Sequence, residues 1–319
     1  MTVSFAPLEG ISGWVYRLAH HDSFPGVDRY HAPFWAPTAD SPLTGRGLRD
    51  VLPEHNAGIA LVPQLLTNRA EDFLSAARAL QDLGYRRVDL NLGCPSGTVV
   101  AKRKGAGFLA LPDELDAFLD TVFSARLDLA VTVKTRIGLE DEGEWPRLLA
   151  IYDRYPIAEL TIHPRLRSDF YKGPVRREAF RYAVAHTRLP LCYNGDLFTV
   201  EDCRAFAEEF PTVRHIMLGR GLVADPSLAR QLAGGPPLGR DELRAFHDRL
   251  LADYRRVLSG DRPVLGKLKE LWDYLGCHFP ESDRARKAMR KARTLADYER
   301  AVDALFREGP FVSAARFTP

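Results

Sequence analysis

The chain has 319 residues, of which 45% are hydrophobic and 27% are charged, and its 44 Lys and Arg nearly balance 42 Asp and Glu. This composition is typical of a folded globular protein and excludes a mainly disordered chain, a small disulfide-stapled scaffold and a histone-like polycation. Cys94, Cys192, Cys203 and Cys277 form no CxxC pair, so no zinc ribbon, thioredoxin-type dithiol or other metal site is predicted. No apolar stretch approaches the ~20 residues of a membrane span and no export or lipidation signal is evident, so we expect a cytoplasmic protein with no membrane contact.

Eight short apolar or β-branched runs alternate with helical patterns over the first 235 residues. Polar residues do not alternate cleanly within these runs, as expected for parallel strands covered on both faces. The spacing predicts an α/β fold, a TIM barrel over residues 1–235; a doubly wound sheet is disfavoured because no GxGxxG follows the first strand. The predicted strands are Val3–Leu8, Arg29–Trp35, Ile59–Leu65, Arg87–Leu92, Ala130–Thr135, Glu159–His163, Leu189–Tyr193 and His215–Leu218.

Capping signals mark the starts of helices between these strands. Asn68 with Glu71 predicts one capping box, and Thr199 with Asp202 indicates a second helix start. Pro112 is expected in the first turn of another helix, because proline lacks only an N–H that would be unpaired there.

Beyond a Gly/Pro-rich linker at 234–239 the pattern is helical only. Residues 240–308 predict a small bundle of about four helices, followed by a loose tail at 309–319. Residues 240–319 hold 17 Lys and Arg against 13 Asp and Glu, a net charge of +4. Such clustering indicates a polyanionic partner, although a solvated helix face is the alternative. Six of these cations fall within ten residues: Arg284, Arg286, Lys287, Arg290, Lys291 and Arg293.

Polar residues and glycines follow the carboxyl ends of seven predicted strands, the face on which TIM-barrel active sites are built. Lys134 lies in an otherwise apolar strand, where an unpaired ammonium is costly unless an anionic or electron-accepting ligand compensates it. Gly219-Arg220-Gly221 offers bare amides and a cation, which is typical of the phosphate site of this fold. The segments are Pro7 to Gly10, Gln64, Asn91 to Ser96, Lys134 with Arg136, His163 to Arg165, Asn194 to Asp196 and Gly219 to Gly221.

Each of these features also has a purely structural explanation. Cys94 is compatible with a small buried apolar residue, and His163 with a core histidine. Asn194-Gly195 is compatible with a simple turn. Their convergence on one face of the barrel is what favours a functional site.

Seven segments carry a resemblance to a known family. They are Ala6-Pro-Leu-Glu-Gly, Asn91-Leu-Gly-Cys-Pro-Ser, Gly105-Ala-Gly, Val133-Lys-Thr-Arg-Ile-Gly, His163-Pro-Arg, Asn194-Gly-Asp and Met217-Leu-Gly-Arg-Gly. In this order, over about residues 3–235, they resemble the tRNA-dihydrouridine synthases. Lys267–Phe279 resembles the start of that family's helical domain. The Cys-Pro motif followed by Gly-Ala is the most specific element.

The resemblance implies an FMN enzyme that reduces a uridine of tRNA to 5,6-dihydrouridine with NADPH as the reductant. Within the family, the chain is most similar to the bacterial subfamily that acts on D-loop position 16. The helical segment 240–308 would then bind tRNA, and no obligate protein partner is indicated, so we expect a monomer. Pro63, just before Gln64, departs from the family's usual regular strand.

Site residues are implied by the same motifs. Cys94 would be the general acid. The implied flavin contacts are Pro7, Leu8, Glu9, Gln64, Lys134, His163, Asn194, Gly195, Asp196, Gly219 and Arg220. The implied substrate contacts are Asn91, Arg136, Arg165, Lys267, Arg286, Arg290 and Arg293.

Two other functions are compatible with parts of the sequence. A flavin barrel acting on free pyrimidines, as dihydroorotate dehydrogenases do, would leave the basic C-terminal helices and the Cys-Pro motif unexplained. A non-catalytic RNA-binding barrel is disfavoured by the presence of Cys94, Lys134 and Arg220 together.

Overall fold

The computed structural model describes residues 1–318, apart from the side chain of Arg46. The strands found there are β1 (Thr2–Phe5), β2 (Arg29–His31), β3 (Leu61–Val62), β4 (Gln64–Leu65), β5 (Arg87–Leu92), β6 (Ala130–Arg136), β7 (Glu159–His163), β8 (Leu191–Tyr193) and β9 (His215–Leu218). They form one parallel sheet in the order β3-β2-β1-β9-β8-β7-β6-β5-β4. The two ends of this order, β3 and β4, are consecutive in the chain, so the sheet closes on itself. The predicted TIM barrel is confirmed.

Pro63 explains why eight predicted strands appear as nine. It divides the predicted strand Ile59–Leu65 into β3 and β4, because proline has no N–H to donate to a neighbouring strand. Its carbonyl oxygen still accepts a hydrogen bond from the Asp89 N–H at 2.9 Å, so pairing continues past the break. The predicted strand Arg29–Trp35 is also shorter than expected and ends at His31.

Helices surround the barrel and make up the C-terminal region. They are α1 (Trp14–Ser23), α2 (Gly45–Val51), α3 (Ala70–Asp82), α4 (Gly97–Val100), α5 (Pro112–Ser124), α6 (Trp145–Tyr152), α7 (Arg177–His186), α8 (Val200–Glu209), α9 (Arg220–Ala224), α10 (Leu228–Leu232), α11 (Arg240–Val257), α12 (Asp261–Leu275), α13 (Asp283–Lys291) and α14 (Leu295–Glu308). The four helices α11–α14 confirm the helical C-terminal bundle. Across residues 1–318, no helix combines the length and apolarity needed to cross a membrane.

The predicted capping signals are partly confirmed. Thr199 accepts a hydrogen bond from the Asp202 N–H at the start of α8, and Asp202 returns the bond, as predicted. The box predicted at residues 68–71 is wrong. Helix α3 begins after Arg69, whose N–H donates instead to Thr67 Oγ1 at 3.1 Å.

One hydrophobic core runs from the barrel into the C-terminal helices. Phe246 of α11 packs edge-on against Tyr16 of α1 and against Phe24, which follows α1, with ring centroids 5.7 and 5.1 Å apart. His278, after α12, lies 2.9 Å from the Ala224 carbonyl oxygen at the end of α9. The helical region is therefore packed on the barrel rather than tethered to it by the linker alone.

The segment predicted as a loose tail, 309–319, contains neither helix nor strand as far as residue 318; Pro319 lies outside the described residues. It is nevertheless in contact with the protein. The Val312 N–H donates to the His278 carbonyl at 2.9 Å, and Arg316 pairs with Asp202 of α8 at 2.9 Å. Residues 309–318 therefore run from the end of α14 back to the barrel.

Candidate active site

A cavity of about 470 Å³ lies at the carboxyl ends of the barrel strands, a size typical of small-molecule sites. Two predicted site residues, Gln64 and Arg165, lie behind its wall, whereas Lys267, Arg286, Arg290 and Arg293 lie outside it. The predicted residues that line it are Pro7, Leu8, Glu9, Asn91, Cys94, Lys134, Arg136, His163, Asn194, Gly195, Asp196, Gly219 and Arg220.

Lys134, in β6, brings a half-buried ammonium to the cavity wall. No hydrogen-bond acceptor or ion-pair partner contacts its Nζ within residues 1–318. Loss of solvation, with a smaller contribution from the charge of Arg136, lowers the pKa of Lys134 to about 8. An unpaired buried cation is costly, so this part of the wall is suited to an anionic or strongly polar group of a ligand.

A chain of hydrogen bonds inside the barrel leads to the loop of Cys94. Thr132 Oγ1 and Gln64 Nε2 donate to the two oxygens of Asp89, at 2.6 and 2.7 Å. Gln64 Oε1 accepts from Asn91 Nδ2 at 2.8 Å, and Asn91 Oδ1 accepts from the Cys94 N–H at 2.9 Å. Burial raises the pKa of Asp89 to about 6, against these hydrogen bonds. Gln64 and Asn91 thus hold the backbone at Cys94.

Cys94 itself is half-buried between β5 and α4. Burial raises the pKa of its thiol, so the protonated form prevails at neutral pH. Its carbonyl oxygen accepts from the Ala106 N–H at 3.1 Å. Gly105 has a φ of +56°, and a Cβ there would lie only 3.1 Å from the Cβ of Cys94. The Gly-Ala motif therefore packs directly against the Cys-Pro motif. The protonated thiol of Cys94 lines the cavity.

Arg136, at the end of β6, ties the loops after β5 and β7 together at the rim of the cavity. Its Nε donates to the Gly93 carbonyl at 2.9 Å, and its two terminal nitrogens donate to the carbonyls of Leu166 and Phe170 at 2.7 and 2.6 Å. The guanidinium also lies 5.2 Å from the ring centroid of Tyr171. Each of its nitrogens is thus bound to the chain, so its principal contacts are structural.

Asp196 links two arginines on the far side of the cavity. Arg165 binds both of its oxygens, and Arg220 donates to Oδ1 at 2.7 Å. Burial acts to raise the pKa of Asp196, but the bonds and charges of these arginines leave it below its usual value. Arg165 also donates to Nε2 of His163 at 3.1 Å, and loss of solvation beside several cations holds the pKa of that ring well below its usual value. His163 is therefore neutral.

The loops after β8 and β9 meet beside Arg220. A Cβ on Gly221 would lie 2.2 Å from the Leu197 carbonyl oxygen, so only glycine allows this approach. Asn194 Nδ2 donates to the Met217 carbonyl at 2.8 Å and fixes the loop after β8 to strand β9. Backbone amides next to a cation form the kind of corner that binds phosphate in this fold.

Comparison with known proteins agrees with this geometry. The family profile "Dihydrouridine synthase (Dus)" matches residues 46–304. This chain belongs to the dihydrouridine synthase family. The tRNA-dihydrouridine(16) synthase of Pseudomonas syringae pv. tomato is 37% identical over 250 residues, 73% of this chain and 75% of that protein. The enzyme of the same name from Cupriavidus necator is 29% identical over 94% of this chain and 96% of that protein. The tRNA-dihydrouridine synthase B of Proteus vulgaris is 28% identical over 74% of each.

Solved structures with the same fold are more distant from this dihydrouridine synthase. A 2-naphthoyl-CoA reductase in complex with 2-naphthoyl-CoA superposes with a TM-score of 0.56 at 11% identity, over 73% of this chain and 50% of that one. Morphinone reductase in complex with tetrahydroNAD gives a TM-score of 0.50 at 15% identity, over 74% and 87%. At these identities the likeness shows the barrel fold alone.

Several cavity residues of this dihydrouridine synthase were not found from the sequence. Phe170 and Tyr171 are exposed aromatic residues in the loop after β7. Their place after the carboxyl end of a strand is the one sequence signal that could have identified them as site residues. Glu270 and Tyr274 lie three and seven residues after Lys267 on α12, so all three share one helix face. Lys267 donates to the Gly10 carbonyl, which brings that face onto the barrel mouth. The complete set is Ile11, Phe34, Phe170, Tyr171, Leu197, Phe198, Glu270 and Tyr274.

The predicted basic cluster lies on and after α13, away from the cavity. Arg286 pairs with Asp283 at 2.5 Å. The other five cations, all exposed, form no ion pair with any described residue. They are Arg284, Lys287, Arg290, Lys291 and Arg293. The dihydrouridine synthase thus presents a block of uncompensated positive charge on its helical region.

A separate polar cluster fills the opposite, amino-terminal end of the barrel interior. Glu159, Cys192 and His215 bring side-chain atoms within 4.8 Å of one another. His215 is already satisfied on both sides, by Glu159 at 2.5 Å and by Ser4 at 2.8 Å, and Arg29 compensates Glu159 at 3.1 Å. None of these side chains lines the cavity. The cluster is a hydrogen-bonded floor of the barrel.

Proposed function

We propose that this chain reduces the uridine at D-loop position 16 of tRNA to 5,6-dihydrouridine, with FMN bound in the cavity and NADPH as the reductant. Family membership supports the reaction, and the names of the relatives from Pseudomonas and Cupriavidus support position 16. The observation that carries the proposal is that one cavity joins a protonated Cys94 to an unpaired Lys134. NADPH as reductant, a monomeric state and a cytoplasmic location stay predictions.

The residues that line the cavity fit a flavin mononucleotide. Lys134 is an unpaired cation of the kind that stabilises the N1–O2 edge of a reduced flavin. Pro7 and Leu8, both half-buried, offer an apolar wall to the ring, and Arg220 beside the loop amides is suited to the phosphate. FMN is preferred to FAD because no adenine-dinucleotide fingerprint is present. When bound, FMN supplies the hydride chemistry.

Cys94 is proposed to hold the proton that is delivered to C5 of the uracil. Hydride addition at C6 leaves negative charge at C5 and O4, and a neighbouring thiol can neutralise it by proton transfer. Burial favours the protonated thiol before this step, which is the form that a general acid requires. The bonds from Asn91 and Ala106 to the backbone at Cys94 keep the thiol at one place in the cavity.

Three predicted contacts are better described as positioning residues. Gln64 is fully buried and bonded to Asp89 and Asn91, so it supports the Cys94 loop from behind. Arg165 is fully buried and holds Asp196 at the corner with Arg220. Arg136 fastens the rim loops through their carbonyls.

Binding of tRNA is proposed to use cations on both sides of the cavity. The target uridine must leave its stack to reach a cavity inside the barrel mouth, so the surrounding RNA has to be held firmly. The five unpaired cations on and after α13 supply a sequence-independent grip on phosphates. Lys102 and Arg103, both exposed, and Lys104 follow the Cys94 loop and add positive charge at the other rim.

The decisive experiment measures dihydrouridine position by position in tRNA from cells that lack the gene. We expect loss at position 16, restored by the wild-type gene and not by a gene carrying Cys94→Ala. Loss at another position would refute the position and leave the reaction standing. No loss at any position, or a purified protein without flavin absorption, would refute the function itself.

A further inference from the structure

The segment after α14 returns to the barrel as an extended strap, residues 310–318. Residues 311, 313, 315 and 317 are half-buried and those between them are exposed, which is the two-residue period of extended chain. The strap is anchored at its start, where the Val312 N–H and carbonyl oxygen contact His278 at 2.9 and 2.7 Å.

The far end of the strap inserts an aromatic ring between the barrel and the helical region. The ring of Phe317 lies 5.2 Å from Tyr274 of α12 and 5.6 Å from Phe198, which follows β8. Both distances are within the range of favourable aromatic pairs. Tyr274 and Phe198 both line the cavity. Phe317 therefore supports two walls of the cavity from outside.

The same end of the strap also braces the loop at the Arg220 corner. Arg316 pairs with Oδ1 of Asp202 at 2.9 Å, while Oδ2 of Asp202 accepts the Phe198 N–H at 2.9 Å. The Phe198 ring in turn lies 5.6 Å from the guanidinium of Arg220. This loop packs directly against Gly221, so its displacement would disturb the amides and the cation together.

We propose that Phe317 is a positioning residue of the flavin site, which it serves by holding Phe198 and Tyr274 in place around the phosphate corner. Phe317 does not itself line the cavity, so its effect is indirect. This role rests on the proposed binding of FMN in that cavity. It assigns a ligand-binding role to a segment that the sequence pattern marked only as a tail.

Loss of the Phe317 ring should raise the Kd for FMN while lowering the melting temperature of the apoprotein only slightly. We expect Phe317→Ala to raise the Kd for FMN by about five- to tenfold, the effect of losing ring contacts that support the site. Phe317→Tyr keeps the ring and should bind FMN like the wild type. Arg316→Gln removes the Asp202 contact and should give a smaller change in the same direction.

The experiment titrates the full-length apoprotein with FMN and follows the quenching of flavin fluorescence. The matched control is Phe123→Ala: Phe123 is also half-buried and stacks on one tyrosine, Tyr155, at 5.6 Å, far from the cavity. Melting temperatures of all apoproteins are measured in parallel. The Phe123→Ala control should bind FMN as tightly as the wild type, even where its melting temperature is lower.

A second readout follows the strap itself. Because coupling between two sites is reciprocal, FMN should slow trypsin cleavage after Arg316 in the wild type. This protection should be lost in Asp202→Asn, which removes the partner of Arg316. It should be kept in Arg249→Gln, the control, because Arg249 pairs with Asp22 of α1 and not with the strap. Equal FMN affinity of wild type and Phe317→Ala, or equal weakening by Phe123→Ala, would overturn this role alone. A wild-type protein that binds no FMN would overturn the flavin site and this role with it.

Discussion

Replacing Lys134 by methionine should make the apoprotein more stable and the flavin complex weaker. The pKa of Lys134 falls from 10.5 to about 8, so the ammonium is still charged at pH 7 but poorly solvated. A shift of this size corresponds to about 3 kcal/mol at 1.36 kcal/mol per pKa unit. Methionine has a similar length and no charge, so the free energy of unfolding should rise by roughly 1–3 kcal/mol, because a half-buried group recovers only part of that amount.

Flavin binding should change in the opposite direction. A hydrogen bond from a charged donor contributes about 1.5–3 kcal/mol, so its loss should weaken FMN binding roughly ten- to a hundredfold. The wild-type affinity should also fall as the pH rises through 8, because the ammonium form that binds the flavin is lost there. The Lys134→Met protein has no such group and should show no decline in this range.

The assay combines thermal melts of the apoproteins with FMN titrations between pH 7 and 9.5. A gain of 1–3 kcal/mol should raise the melting temperature by roughly 2–6 °C in a chain of this size. Lys291→Met, which removes an exposed cation on α13, serves as the control and should change neither quantity. A less stable Lys134→Met apoprotein that binds FMN as tightly as the wild type would refute the reasoning.

Three further outcomes are expected. Cys94→Ala should keep the flavin and its reduction by NADPH but lose about 10²–10⁴-fold in uridine reduction; stopped-flow oxidation of the reduced variant by tRNA at the wild-type rate would contradict this. Arg220→Ala should release flavin more readily on dilution, and unchanged retention would remove Arg220 from the phosphate corner. Neutralising Arg284, Arg290 and Arg293 together should weaken tRNA binding and lower its salt slope by up to about 0.7–0.9 per lost phosphate contact, without changing flavin reduction. A matched triple variant at the amino-terminal face of the barrel should have little effect, and equal slopes for the two triple variants would leave α13 a solvated helix face. The control residues are Arg86, Arg126 and Arg214.

The sequence predicted where the site lies better than how its side chains are used. Strand ends such as Asn91 and His163 could be placed because parallel strands bring their carboxyl ends to one face of a barrel. The hydrogen-bond partners of Arg136 could not be predicted, because they include backbone carbonyls in the loop at 166–170. A loop has no sequence periodicity from which its path could be inferred. Gln64 was predicted as a flavin contact, but its side chain is bonded to Asp89 and Asn91 and does not line the cavity.

The strap escaped prediction for a similar reason. Residues 311–318 carry no helical periodicity and no alternation of apolar and polar residues, so the two-residue period of this segment appears only in its burial. Tyr274 was overlooked although it shares a helix face with Lys267, because nothing in the sequence indicates which face of α12 meets the barrel.

The contact of α12 with the barrel mouth limits how this protein can be recombined with its relatives. Lys267 binds Gly10, and Glu270 and Tyr274 close one side of the cavity, so the barrel as far as residue 239 would lack a wall of its own pocket. A chimera joined at the 234–239 linker would bring a foreign helix against the loop after β1. A junction between α12 and α13 would instead keep every residue that lines the pocket and exchange the basic surface together with α14 and the strap. A transplant of RNA specificity at this junction should therefore retain Arg316 and Phe317, which brace the pocket from outside.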